Sequence, residues 1–370
     1  MTLAPRLTDP RPTAPRPAGP RLAAPRLAAL ALAAIGTLVF HLAGLPLPFL
    51  LGPMAGCLVG AFAGARMRDM GALGTFMRTF LGVAAGTAVT PAMVSHLPDF
   101  ALSLAFVPVF VLLIGAAGYP LFRHVFGFDH ATAWFGAMPG GLQDMLVFGE
   151  EAGGDIRALS LIHASRVLVI VTVAPLVMSM LWNVDLSLPP GASARDTDSV
   201  QIALMVGSCF LGWRIAARIG LFGATILGPM ILTAILSLSG IITARPPAEI
   251  IWAAQFFIGI AVGAKYSGIT LRELRVDVGA GVVYALILSV ISLGFLEVIH
   301  LLRLAPALDA FLAFLPGGQS EMVVMAIIAG ADLAYVVAHH LVRMVLVISL
   351  APVAGRLAQR RRRPQADDDL

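Results

Sequence analysis

The chain has 370 residues, of which 58% are hydrophobic and 12% are charged, and its net charge of +4 lies largely in the tails. Soluble domains carry about twice that share of charged residues, and the mean hydropathy here is +0.89. The composition excludes an ordinary soluble fold and predicts an all-α polytopic integral membrane protein.

The amino-terminal segment, residues 1–26, is rich in proline and arginine and has no apolar stretch that could pack. We therefore expect a disordered basic tail on the cytosolic side. Arg26 followed by LAALALAAIG also fits a cleaved signal peptide. We favour a first span that is retained, because its counterpart in the second half of the chain is internal and cannot be cleaved off.

Ten apolar runs predict transmembrane helices in two sets of five, and each set contains a shorter segment interrupted by Pro-Gly-Gly. The first set covers residues 27–44, 48–65, 79–95, 100–121 and 157–182, with the broken segment at 131–150. The second covers 200–217, 221–242, 250–267, 279–301 and 333–355, with the broken segment at 309–328. The expected domains are the tail 1–26, repeat 27–182, periplasmic linker 183–199, repeat 200–355 and a charged cytosolic tail 356–370.

An internal duplication accounts for the two sets. LGPM occurs at 51–54 and at 227–230, and residues 132–177 align without a gap with 309–354. The 13 identities in those 46 positions include glycine, proline, aspartate, histidine and arginine, which apolar composition alone would not keep in register.

The arginines predict the orientation of the copies. With the amino terminus inside, Arg66, Arg68, Arg123 and the run at 360–363 fall in cytosolic segments, whereas the linker 183–199 is mainly acidic; Arg245 and Arg303 are exceptions. Five spans is an odd number, so the second copy enters the membrane from the opposite side. The prediction is two inverted repeats, each with a broken or re-entrant segment; broken segments that fully cross would instead make the copies parallel.

The Pro-Gly-Gly segments are the predicted binding site. Proline and glycine end a helix and leave backbone groups free, and such groups are tolerated at membrane depth only when buried in protein or facing water. An acid follows each break at a matched position, Asp144 or Glu321. Polar neighbours complete a candidate site for a cation, a proton or a solute. Ordinary turn residues in a loop tip are the alternative.

In the fifth span of each copy, an arginine lies about 16 Å from the aspartate at the start of the span, which places it near the bilayer centre. Arg166 and Arg343 need partners there, and we expect them to face Asp144 and Glu321. The same pairs could instead be structural salt bridges that lock the hairpins to the bundle. The predicted solute- or ion-binding residues of both copies are Gly140, Gly141, Gln143, Asp144, His163, Arg166, Gly317, Gly318, Gln319, Ser320, Glu321, His340 and Arg343.

Glycines recur every fourth residue from Gly52 through Gly56 and Gly60 to Gly64, which predicts a close helix–helix contact. The two cysteines, Cys57 and Cys209, lie in apolar runs and are expected to be packing residues. No metal or cofactor site is expected.

The duplicated LGPM, the segments PGGLQDM and PGGQSEM, and the paired HASR and HLVR resemble the bacterial AbrB family of membrane proteins. The resemblance covers roughly residues 27–355. It implies an inner-membrane location and a regulatory phenotype, since members are labelled regulators of gene expression or ammonia monooxygenases. The inverted copies, the broken segments and the mid-span charges favour a secondary transporter of a small solute, embedded in the lipid bilayer and with a midplane site between the two repeats. H⁺ and Na⁺ are candidate coupling ions, no direct nucleic-acid contact is expected, and homo-oligomerisation is left open.

A membrane-embedded regulator acting through a partner or a transported solute is the first alternative function. An ammonia monooxygenase-like membrane enzyme is the weaker alternative, because no convincing metal ligands occur in the sequence.

Overall fold

The computed structural model describes residues 23–186, 188–221 and 223–361. Within these residues the chain forms helices and loops and no strand, so the predicted all-α class is confirmed. Seven helical segments are long and apolar enough to cross a membrane. Two shorter apolar helices, Pro48–Phe62 and Ala224–Leu238, accompany them.

The helices follow the predicted runs in chain order. In the first half they are α1 (Ala23–Leu42), α2 (Pro48–Phe62), α3 (Ala72–Thr87), α4 (Pro91–Leu104), α5 (Phe106–Pro120), α6 (His130–Ala137), α7 (Leu142–Glu151) and α8 (Ile156–Trp182). In the second half they are α9 (Ser199–Arg218), α10 (Ala224–Leu238), α11 (Ala248–Gly263), α12 (Leu271–Glu273), α13 (Gly279–Leu301), α14 (Ala307–Phe314), α15 (Gln319–Ala329) and α16 (Leu333–Arg361).

Three helices begin several residues earlier than the sequence predicts, and the largest difference is at the fourth span, where α3 ends at Thr87 and α4 begins at Pro91 instead of the predicted runs 79–95 and 100–121. Helix α1 starts at Ala23, inside the segment 1–26 that was assigned to the tail; the rest of that segment lies outside the described residues. Helix α3 starts at Ala72, whereas hydropathy predicted a start at 79. The polar residues of its first half, including Arg78, lower the hydropathy without preventing the helix.

Aspartates fix the start of the fifth span in each half and join it to the preceding broken segment. The Asp155 carboxylate accepts the Ala158 N–H at 3.0 Å, as an N-cap does, and the Asp155 N–H donates to Thr132 Oγ1 at 2.8 Å. In the second half the Asp332 carboxylate accepts the Tyr335 N–H at 3.1 Å, and the Asp332 N–H donates to Asp309 Oδ1 at 3.0 Å.

The helices form two groups with different packing. Helices α1, α2, α3, α9, α10 and α11 pack on one another, with α3 against α10 and α11 against α2; we call this group the glycine-packed bundle. Helices α5, α6, α8, α13, α14 and α16 form a second group, with α4, α7 and α15 on it. We call the second group the hairpin bundle, because it holds the two broken segments.

Backbone contacts at glycine unite the glycine-packed bundle. A Cβ on Gly52 would lie 2.6 Å from Thr37 Cα of α1, and a Cβ on Gly212 would lie 2.7 Å from the Gly228 carbonyl oxygen. A Cβ on Gly259 would lie 2.6 Å from the Leu50 carbonyl oxygen, between α11 and α2. Real Cβ atoms do not approach so closely, so the helices meet only because these positions lack a side chain.

The predicted glycine stripe on α2 packs against α1 at three of its four positions. Gly52, Gly56 and Gly60 all face α1 atoms where a Cβ would collide. Gly64 has a positive φ of 84° and open space around it, so it serves the turn after α2 instead.

Each broken segment is a helical hairpin whose two arms meet at Pro-Gly-Gly. Hairpin 1 (α6–α7) has its open end at the start of α8, where Asp155 binds Thr132. Hairpin 2 (α14–α15) packs near the other end of α8, where the rings of Trp182 and Phe311 are 5.4 Å apart. With 27 residues, α8 is about 40 Å long, so the hairpins approach it from different ends.

Candidate functional site

The bend of hairpin 1 is held by α8. Arg166 is 2% exposed; its Nη1 donates to the Met138 carbonyl at 3.1 Å and its Nη2 to the Gly140 carbonyl at 3.3 Å. One turn earlier on α8, His163 Nε2 donates to the Phe135 carbonyl at 3.1 Å. The two α8 side chains therefore bind backbone carbonyls at the helix break, of which the Phe135 carbonyl also accepts the Met138 N–H at 3.3 Å.

The bend of hairpin 2 is held by α16 in the same way. Arg343 Nη1 donates to the Leu315 carbonyl at 3.2 Å and Nη2 to the Gly317 carbonyl at 3.4 Å. His340 Nε2 donates to the Leu312 carbonyl at 2.9 Å. That tautomer leaves Nδ1 as an acceptor, and it lies 2.9 Å from Arg343 Nη2.

The arginines thus bind backbone partners that the sequence did not suggest. We expected Arg166 and Arg343 to face the carboxylates of Asp144 and Glu321, whereas the hydrogen bonds described above go to backbone carbonyls. A helix carboxyl end carries partial negative charge and unpaired oxygens. The planar guanidinium suits two adjacent oxygens, so each arginine caps the first arm of its hairpin.

Other side chains complete these caps. The Tyr284 hydroxyl contacts the carbonyl of Ala137, the last residue of α6. The Ser292 hydroxyl lies 3.0 Å from the carbonyl oxygen of Phe314, the last residue of α14, and 2.8 Å from that of Leu288, and it can donate its one proton to either. Both donors lie on α13, and neither was a predicted site residue, because a side-chain bond to a distant carbonyl leaves no pattern in the sequence.

The predicted carboxylates lie at the start of the second arms. Asp144 is the third residue of α7 and Glu321 the third residue of α15. A Cβ on Gly141 would collide with Asp144 Oδ2, and one on Gly318 would collide with Glu321 Oε2. Each carboxylate therefore folds back over the glycine that precedes its helix, where the helix dipole favours negative charge.

Both bends line one cavity of about 180 Å³ between the two bundles. Its walls contain ten of the thirteen predicted residues: Gly140, Gly141, Asp144, Arg166, Gly317, Gly318, Gln319, Glu321, His340 and Arg343. His163 lies behind the bend of hairpin 1 and is fully buried. The side chains of Gln143 and Ser320 lie outside the described part of the structure.

The opposite wall comes from the glycine-packed bundle and was not predicted. It includes Asp69 before α3, Arg78 on α3, Gly223 and Thr225 at the start of α10, and Lys265 after α11. Alignment of Gly82 with Gly259 places Arg78 opposite Gln255 in the other copy. That polar pair inside two apolar helices is the sequence signal that could have identified Arg78.

Comparison with known proteins identifies the family. The model of a family described as "Transition state regulatory protein AbrB" matches residues 49–359. "Uncharacterized protein YhjN" of Bacillus subtilis (strain 168) is 26% identical over 302 residues, which cover 75% of this chain and 76% of that protein. "Putative regulator AbrB" of Escherichia coli (strain K12) is 25% identical over 340 residues, or 87% of this chain and 92% of that protein. No solved structure matches the chain. Because the family model spans most of its length, the protein belongs to the AbrB family.

Proposed function

We propose that the protein is a multi-pass protein of the bacterial inner membrane that transports a small solute. Seven helices are long and apolar enough to span a bilayer. Large apolar side chains on their outer surfaces are exposed, among them Leu112 at 72%, Met180 at 81% and Val290 at 70%. A water-exposed surface of this kind would aggregate, whereas lipid would cover it.

In this proposal ten segments cross the membrane and the two hairpins do not. The crossing segments are α1, α2, α3, α4–α5, α8, α9, α10, α11, α13 and α16. Each hairpin arm has between 8 and 11 residues, so it reaches only about 12–16 Å into a hydrocarbon core of about 30 Å. The hairpins are therefore re-entrant, and their bends lie near mid-membrane depth.

The contacts favour an inverted arrangement of the two repeats. The hairpins approach α8 from different ends, and the arginine and histidine of each fifth span bind equivalent carbonyls. Helix α3 packs on α10 while its counterpart α11 packs on α2. Such exchange is expected of any two copies related by a two-fold axis, and the approach of the hairpins to different ends of α8 is what favours an axis in the membrane plane.

One observation carries the transport proposal: the bends of both hairpins line the same cavity, at the junction of two bundles. Interrupted helices that meet at mid-depth between movable bundles are the usual build of a secondary transporter site. Asp144 and Glu321 would serve H⁺ or Na⁺ coupling. The cavity reaches Asp69 and Lys265, beside the arginine-rich loops, which supports an inward-facing state with both termini cytosolic.

Alternating access predicts that a cavity residue is reached from both sides of the membrane. Leu142, on the cavity wall at the start of α7, is replaced by cysteine in a Cys57→Ala, Cys209→Ala background. We expect a small membrane-impermeant methanethiosulfonate to modify Leu142→Cys from the cytosolic and the periplasmic face. Modification from one face only, under every condition, would contradict alternating access and favour a static regulator.

The inverted topology makes its own prediction at the linker between the repeats. Ala192 is exposed there, and its carbonyl accepts the Ala248 N–H at 2.9 Å. We expect Ala192→Cys to be labelled only from the periplasmic face, and Arg66→Cys, the matched control in the loop before α3, only from the cytosolic face. Labelling of Ala192→Cys from the cytosol would mean that the repeats are not inverted.

A regulatory role is the second candidate, because the family description and the relative from Escherichia coli both carry a regulator name. In that case the arginine-rich tails would dock a partner or anionic lipid. Deleting residues 1–25 and 357–370 separates the candidates, since loss of an expression phenotype with intact solute flux would assign regulation to the tails.

A further inference from the structure

The side-chain amide of Gln319 is the first observation that indicates a ligand. Gln319 begins α15, lines the cavity and is 8% exposed. Both its Nε2 and its Oε1 are buried without a hydrogen-bond partner. A buried amide without partners is destabilising, and the matched residue of hairpin 1 is Leu142. The hairpin fold therefore does not need an amide here, whereas a bound solute would use one.

A second buried group without a hydrogen-bond partner belongs to Arg78 in the glycine-packed bundle, across the cavity from Gln319. Arg78 lines the cavity from α3, and its Nε is buried without a hydrogen-bond partner. The counterpart of Arg78 in the other copy is the neutral Gln255. Lys265, the only lysine of the chain, reaches the same cavity after α11. These two cations are additional to the arginines that cap the hairpin bends.

The charges that line the cavity favour an anion. Arginine and lysine contribute four cations, Arg78, Arg166, Lys265 and Arg343, against three acids, Asp69, Asp144 and Glu321. Two of those acids fold over the starts of their own helices. Helix α10, with 15 residues, also begins at the cavity and has no acid in its first turn. Its unneutralised amino end adds to the positive potential.

We propose that the cavity binds a small organic carboxylate that also carries a hydroxyl or amino group. Arg78 and Lys265 attract the carboxylate, and the Gln319 amide, which offers both a donor and an acceptor, binds the polar substituent. The volume of about 180 Å³ suits a metabolite, since one water molecule needs about 10–15 Å³ by this measure. The inference deepens the proposed transport function and rests on it, but binding is tested without transport.

The test measures thermal unfolding of the purified full-length protein with probes at millimolar concentration. Lactate, malate and citrate represent the proposed class, malamide is the uncharged analogue of malate, succinate lacks its hydroxyl, and putrescine is a cation. We expect at least one hydroxycarboxylate to raise the unfolding midpoint, malate to act more strongly than succinate, and malamide and putrescine to have no effect. Equal stabilisation by malamide or putrescine, or none by any carboxylate, overturns the proposal.

Two variants test the residues. Gln319→Leu copies the matched residue of hairpin 1, and we expect it to bind the stabilising carboxylate about tenfold more weakly. Its unfolding midpoint without ligand should be equal or higher, because an unpaired buried amide is removed. Arg78→Gln, which copies Gln255, should also weaken binding about tenfold or more. The exposed Arg214, which lies outside the cavity wall, supplies the control Arg214→Gln, with unchanged binding.

The outcomes separate this inference from the function it rests on. A lower unfolding midpoint for Gln319→Leu with unchanged carboxylate affinity would make the amide structural and overturn its assignment. Two-sided labelling of Leu142→Cys without carboxylate binding would retain transport and reject the solute class. Carboxylate binding with one-sided labelling would retain the site and reject transport.

Discussion

Replacing Arg343 with alanine is expected to lower the free energy of unfolding by about 3 kcal/mol, since a buried acceptor that loses its partner costs about 1–3 kcal/mol. The variant removes the donors of the Leu315 and Gly317 carbonyls, both of which belong to buried residues near the bend. Water in the cavity, which Gly317 lines, would replace only part of these bonds, because Leu315 is 3% exposed and lies outside the cavity wall. The measurement is equilibrium unfolding of the purified protein in detergent.

Two further variants distinguish a hydrogen-bonding role from a charge role. Arg343→Lys keeps the positive charge but loses the planar fork that reaches two carbonyls, so we expect it to restore only a minor part of the lost stability. Arg214→Ala, on the exposed surface of α9, is the control and should change stability little. Full recovery by lysine would show that charge, rather than geometry, secures the bend.

Replacing Gly212 with alanine is expected to destabilise the protein by about 1–3 kcal/mol, the usual cost of overpacking. The new Cβ would lie 2.7 Å from the Gly228 carbonyl oxygen and 2.8 Å from Pro229 Cα. Backbone atoms cannot rotate away as a flexible side chain can, so α9 and α10 must move apart. Loss of this contact would also weaken the packing of α3, which contacts both helices.

The same helix offers a matched control. Gly207 lies on α9, and an added Cβ there meets nothing within 4 Å. Gly207→Ala should leave the unfolding midpoint unchanged or slightly higher, because alanine has the higher helix propensity. If Gly207→Ala and Gly212→Ala destabilise equally, the close contact between α9 and α10 is not what the glycine provides.

The sequence predicts the helices well where both their exposed and their buried surfaces are apolar. It fails at α3, which begins at Ala72 rather than at 79. Hydropathy assumes that each turn of a span is apolar, but Arg78 lines a polar cavity and Thr79 is buried within the protein. The error matters, because it left Arg78 outside the predicted span and outside the predicted site.

The repeated residues predict the candidate site, but they do not reveal all the groups to which its arginines bind. Pro-Gly-Gly marks a helix break, and a mid-span arginine needs partners, so the bends and Arg166 could be found from the sequence. Carboxylates appeared to be those partners, because side-chain charges are visible in a sequence and backbone carbonyls are not. The orphaned amide of Gln319 was equally hidden, since the absence of a partner depends on the packing around it.

The capping of both bends also determines how the hairpins can move. Each hairpin has a guanidinium bound where its first arm ends and a carboxylate folded over the start of its second arm. Side chains of the hairpin bundle itself thereby compensate the partial charges at the ends of the interrupted helices. Under the proposed transport function, a solute would enter and leave without exposing an uncompensated dipole, so an empty carrier would reorient as readily as a loaded one.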